Sequence, residues 1–374
     1  LLGQHRSFKS KFKKTLHLKI ALQTFSFQTF YVNGTAMLDP QAQALMQLMK
    51  EKGVPPVNTL SPNMARESYR SRRSFTQPDA PAVLKVEEHH VPVTLQHGEV
   101  FKLPVRLYFP FPDTQAAVTS AGPSPSTTPS ATSVRSTDLP ALVYLHGGGW
   151  TIGDLDTHDV LCRSLCVQAG VVLISVDYRL GPEHKFPAAY EDAMAAFQWA
   201  VQEAPTLHLD PHRIAIGGDS AGGNLAAAAC LGLKDQGVLP AFQLLIYPAT
   251  LMKPDTASYH ANGSGYMLTQ ESMSYYNNNY LRDAQDATDW RAAPLLAENH
   301  EGLPAAFTLT AGYDPLKDEG LMYADALSKA GVPSQYVCFD RQIHGFITMG
   351  RVIEEANTAV SLCAAVLKSH LRKA

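Results

Sequence analysis

Ile214-Ala215-Ile216-Gly217-Gly218-Asp219-Ser220-Ala221-Gly222-Gly223-Asn224-Leu225 is the stretch that decides the fold. Its first four residues read as a short buried strand, and the alanine-rich run Ala221–Leu233 reads as a helix. Between them Gly218-Asp219-Ser220-Ala221-Gly222 fits the G-x-S-x-G pattern, a tight strand-to-helix turn that leaves the serine hydroxyl exposed. Upstream, the apolar strand Ala141–Leu145 runs into His146-Gly147-Gly148-Gly149-Trp150. Glycines there let the backbone turn sharply and approach a ligand with no Cβ in the way. Downstream, Asp314 lies in Gly312-Tyr313-Asp314-Pro315-Leu316-Lys317-Asp318-Glu319, and His344 in Ile343-His344-Gly345-Phe346.

Around these motifs strand and helix alternate. Helices are expected over Val160–Ala169, Ala188–Glu203 and Val352–Leu371, and strands over Val171–Val176, Phe242–Tyr247, Ala306–Thr310 and Gln335–Phe339. Repeated βα units predict a mostly parallel sheet covered on both faces, an α/β fold. Two further strands, Val86–Val93 and Val100–Phe109, precede them. In such sheets reactive residues gather beyond the carboxyl ends of the strands, where Ser220, Asp314, His344 and the Gly147–Gly149 turn all fall.

A serine hydroxyl is a weak nucleophile until a base stands within hydrogen-bond reach. His344 is the candidate base, and Asp314 the group that fixes its tautomer and stabilises the imidazolium. The chain order serine, aspartate, histidine is that of the α/β-hydrolases, unlike the chymotrypsin or subtilisin orders. The backbone amides of Gly148, Gly149 and Ala221 are the candidate oxyanion hole. His146 and Asp219 flank these positions and are expected to orient the loops by hydrogen bonds. Asp318 and Glu319 are the alternative acids; inside the following helix they are expected to cap it or pair with a cation.

Residues 1–38 form a basic extension: Arg6, Lys9, Lys11, Lys13, Lys14 and Lys19 precede the first acidic residue, Asp39. The apolar run at Ile20-Ala21-Leu22 is too interrupted for a secretory signal. Residues 39–80 read as a helical element. Asp39 is the N-cap, Pro40 opens the helix, Ala42, Leu45, Met46 and Met49 make one apolar face, and a second helix follows from Met64 to Ser71. The catalytic domain spans 81–252 and resumes at 291–374; the Ala-, Thr-, Ser- and Pro-rich stretch 113–138 is a low-complexity insertion within it. At 253–290 the βα alternation lapses into a Tyr- and Asn-rich segment.

A formal net charge of −3 gives no global field for nucleic acid or anionic membranes, and no run approaches a membrane span. Five scattered cysteines imply no disulfide framework, which suits a cytoplasmic location. Cys162 and Cys166 share a helix face but lack a nearby histidine, so they read as buried small residues; neither they nor His89-His90 predict a metal, and no cofactor is expected.

Taken together, His146–Trp150, Asp177-Tyr178-Arg179-Leu180-Gly181-Pro182-Glu183, Phe186-Pro187-Ala188-Ala189, Gly217–Gly223, Asp314–Gly320 and His344-Gly345-Phe346 make the chain resemble the hormone-sensitive-lipase-like esterases, bacterial family IV. The resemblance covers roughly residues 39 to 374 and implies the α/β-hydrolase fold. It also implies a helical cap built from 39–80 and 253–290, and a serine carboxylesterase acting on short- to medium-chain acyl esters. A homodimer through the last strand and helix is implied too. An amide or carbamate hydrolase of the same fold and a non-catalytic small-molecule receptor are the competing readings.

Overall fold

The computed structural model describes residues 31–32, 35–95, 97–112 and 138–372. The basic extension before Tyr31 and insertion residues 113–137 lie outside these. Helix α1 (Pro40–Glu51) starts where expected: the Asp39 carboxylate accepts from the Gln41 and Ala42 amides at 2.7 and 3.1 Å. Helix α2 (Pro62–Thr76) is longer at both ends than its apolar pattern predicts. Ser61 caps it with Pro62 at the first helical position, and it runs on until Gln77, which Pro78 forces into extended backbone.

Strands β1 (Lys85–Thr94) and β2 (Val100–Phe109) form an antiparallel pair. Then follow β3 (Leu139–Leu145), α3 (Asp159–Ala169), β4 (Val172–Val176), α4 (Ala188–Gln202), α5 (Ala204–Leu207) and β5 (Leu209–Asp219). Next come α6 (Ala221–Asp235), β6 (Gln243–Ile246), α7 (Ala257–Asn262) and α8 (Gln270–Tyr280). The chain closes with β7 (Ala306–Tyr313), α9 (Lys317–Lys329), β8 (Ser334–Ile343) and α10 (Glu354–His370). The eight strands form one sheet in the order β8-β7-β6-β5-β3-β4-β2-β1, parallel from β8 to β4 and antiparallel at β4–β2 and β2–β1.

The two-residue period of the strands divides the interior into two cores. In β3, Ala141, Val143 and Leu145 join Ile216, Leu225 and Phe197 on the face covered by α4, α6 and α9. Leu142 and Tyr144 join Leu165, Val360 and Leu367 on the face covered by α3 and α10, together with Ala42 and Leu45 of α1. The chain leaves β3 for β4 on one side and reaches β5 on the other, so the loops after β3 and β5 stand together at a topological switch point. There Leu145 is in register with Gly218, which brings the Gly147–Gly149 turn beside Ser220.

Candidate active site

The turn after β5 is sharp enough to hold Ser220 at φ 55°, ψ −117°, a region that side-chain-bearing residues rarely enter. Gly222 makes this possible: a Cβ there would collide with the Leu145 carbonyl of the adjacent strand. The Ser220 amide donates to Ile246 O at 2.8 Å, pinning the turn to β6.

Three loops converge on that serine. His344, directly after β8, brings Nε2 to 2.8 Å from Ser220 Oγ, and its Nδ1 lies 2.6 Å from Asp314 Oδ2. Asp314 follows β7 and is fully buried; its other oxygen accepts the Leu316 amide at 2.9 Å. From behind, Asn262 of α7 donates to the carbonyls of Gly312 and Asp314 at 3.1 and 3.3 Å.

The amides of Gly148, Gly149 and Ala221 donate to no acceptor among the described residues, and all three residues line a cavity with Ser220 and His344. Asp219 fastens the glycine turn. Its Oδ1 accepts the Gly147 amide at 2.9 Å and the Tyr144 hydroxyl at 2.8 Å. Burial alone would raise its pKa; the His158 ring 3.4 Å away and those donors outweigh it and hold the carboxyl below its usual range. His146 is fully buried, stacked on Tyr178 at 4.3 Å, and its Nδ1 lies 2.9 Å from Gly147 O. Burial, then the neighbouring His158, push it down to about 4, so at neutral pH it is an uncharged brace.

The two alternative acids point elsewhere. Asp318 accepts the Ser258 amide at 2.7 Å and pairs with Lys317 at 3.6 Å. Glu319 departs from its expected role, because it neither caps α9 nor meets a cation. It is fully buried and accepts the Thr250 and Leu251 amides at 2.6 and 3.1 Å, fixing the loop after β6. Burial pushes its pKa up to about 8. Cys162 and Cys166 are buried in α3, as their apolar context predicts. No helix among the described residues is long and apolar enough to cross a membrane.

The cavity above Ser220 measures about 470 Å³ and takes its walls from α1, α2, α8 and the loop before α8. Its upper boundary carries residues that lie outside the catalytic motifs. The Tyr276 ring of α8 lies so close over Gly149 that a Cβ at that position would overlap it. Helix α2 is docked by three arginines. Arg66 donates to Thr151 O and Gly181 O and pairs with Glu183 at 2.6 Å, Arg70 pairs with Asp154, and Arg73 donates to Asp156 O. Single polar residues on a polar helix give no sequence signal of such docking.

A family model described as alpha/beta hydrolase fold matches residues 142–348. The chain belongs to this family, in its hormone-sensitive-lipase-like branch, bacterial family IV. An ethyl acetate hydrolase of Pseudomonas putida is 36% identical over 340 residues, 89% of this chain and 99% of that protein. A carboxylic ester hydrolase of Mycobacterium tuberculosis, LipN, is 43% identical over 241 residues, 63% of this chain and 64% of that protein. Among solved structures, an ester hydrolase from the metagenome of Lake Arreo, in complex with a bipyridine phosphonate derivative, is 38% identical with a TM-score of 0.79. The match covers 89% of this chain and 99% of that one.

Proposed function

We propose that the protein is a serine carboxylesterase that hydrolyses short- to medium-chain acyl esters through an acyl-enzyme. The observation that carries this reading is the unbroken chain Ser220 Oγ, His344 Nε2, His344 Nδ1, Asp314 Oδ2 beside three unspent backbone amides. A carboxylate only accepts, so His344 Nδ1 carries the proton and Nε2 is free to take that of Ser220. Ser220 Oγ then attacks the ester carbonyl, and the oxygen that becomes negative is received by the amides of Gly148, Gly149 and Ala221. His344 returns the proton to the leaving alcohol. Water, activated by the same imidazole, then releases the acid and frees Ser220. His146 and Asp219 support the turn that carries two of those amides. No step needs a metal or cofactor.

Helices α1, α2, α7 and α8 act in this reading as a cap, in two parts of the chain, over a catalytic domain. The relatives named as ester hydrolases support the reaction class. The exposed edge strand β8 with α10 is proposed as a homodimer face, and five free cysteines suit a reducing cytoplasm. Turnover of a p-nitrophenyl ester series tests the reaction. Ser220→Ala should abolish it, and an organophosphate should label Ser220 stoichiometrically; undiminished turnover in the variant sinks the mechanism.

A further inference from the structure

Helix α2 carries four arginines between positions 66 and 73, and three are consumed in docking it. The fourth, Arg72, is not. Its Nε donates to Ser68 O at 3.1 Å within the helix, and no carboxylate lies within 4 Å among the described residues. The partly buried side chain lines the cavity over Ser220 and also an adjoining, largely apolar chamber of about 270 Å³ between α1 and α2. A guanidinium offers five donors in a planar fork, and leaving most of them without an acceptor in a half-dry site is costly unless a ligand supplies one.

Two phenols accompany it. Tyr69, one turn earlier on α2, and Tyr276 of α8 both line the catalytic cavity, and neither hydroxyl has a hydrogen-bond partner among the described residues. Burial raises the pKa of each well above the usual phenol value, so both remain protonated donors. The charge of Arg72 acts on both phenols, which places the three groups in one neighbourhood. Around them the walls of the two chambers carry Lys50, Lys52, Arg72 and Arg73 against a single acid, Asp219. That acid is already held by the Tyr144 hydroxyl and the Gly147 amide. Two phenols with no acceptor and a guanidinium that spends only its Nε on Ser68 O, in a cavity biased to positive charge, describe a site for an anion.

We propose that Tyr69, Arg72 and Tyr276 form a subsite for a carboxylate carried by the ester substrate away from its scissile bond. The inference rests on the serine-esterase reading and narrows its substrates to esters that bear such a charge, on either the acyl or the alcohol side. Arg72 supplies a two-pronged contact, the phenols supply lateral donors, and the apolar chamber takes the intervening methylenes or ring. The group binds ground state and transition state alike, so its loss appears in KM more than in kcat.

Matched ester pairs read the subsite directly. Monoethyl adipate against ethyl hexanoate places the charge on the acyl side; 4-acetoxybenzoate against 4-methylphenyl acetate places it on the alcohol side. The ratio of charged to neutral kcat/KM is independent of the fraction of folded enzyme. In Arg72→Gln that ratio should fall about tenfold or more in at least one pair, chiefly through KM, with Arg72→Lys recovering part of it. Tyr69→Phe and Tyr276→Phe should lower the same ratio by a few fold. Ratios unchanged in Arg72→Gln for both pairs would overturn the subsite. Turnover persisting in Ser220→Ala would overturn the nucleophile alone, since the ratios report the subsite whichever group attacks.

Discussion

Ser220 keeps a backbone conformation that costs about 1–3 kcal/mol, and it is held there by Gly222 against Leu145 and by the amide contact to Ile246. Asp314, by contrast, spends both oxygens, one on His344 and one on the Leu316 amide. Replacing it with asparagine keeps the volume but permits the wrong imidazole tautomer. We expect Asp314→Asn to lower kcat by about 10³–10⁴-fold, with organophosphate labelling of Ser220 slowed in parallel. Glu319 bears on stability instead. Its folded pKa of about 8 lies above the ordinary carboxyl value of 4.5, so the folded state keeps a proton that the unfolded chain releases. Stability from this group is therefore complete below pH 4.5 and is lost as pH rises toward 8. The Tm of Glu319→Gln, measured against that of the parent, should gain by several degrees across this window, at about 2 °C or more per kcal/mol. A difference that stays flat with pH would mean that Glu319 is charged when folded.

At the scale of elements, α1 and α2 form much of the wall over Ser220 although neither carries a reacting group. Ala42 and Leu45 are buried against the body of the protein, whereas Met46 and Met49, on the same face, are only partly covered because they border the cavity. Removing residues 1–36 should leave the acyl-length profile of ester turnover within about twofold, since the helices that wall the cavity begin only at Pro40. Removing residues 1–74 should widen the accepted acyl length or destabilise the enzyme. A truncated enzyme with the parent's Tm and chain-length profile would exclude these helices from substrate selection. The residues that the structure brings together as the proposed triad were legible in sequence because each sits where a strand ends in a short motif, and strand ends in a parallel sheet all meet at one edge. Strand limits were less so: β5 starts at Leu209, not Ile214, because its first residues include Asp210, Pro211 and His212, which no apolar pattern marks. The docking of α2 was hidden for a related reason. Arg66, Arg70 and Arg73 look like a solvated basic face, and only the folded loops at 151–156 and 181–183 reveal their acceptors.

At the scale of the whole molecule, the sheet ends on one side at β8, whose outer edge has no neighbouring strand among the described residues. Unpaired edges invite a second copy. Light scattering after size exclusion should give twice the mass of the 40.7 kDa chain, and a monomer at micromolar concentration would rule out the edge as a stable interface. The same strand order has a temporal side. Ser220 lies 124 residues before the His344 that would activate it, and α10, which closes the core beneath α3, comes later still. A chain emerging from the ribosome therefore completes the turn of its proposed nucleophile long before it owns the proposed base. Until β8 slots in beside β7, that serine is an ordinary alcohol, and the growing polypeptide has no power over the esters around it. By the proposed mechanism, hydrolysis begins only when synthesis has passed the last strand.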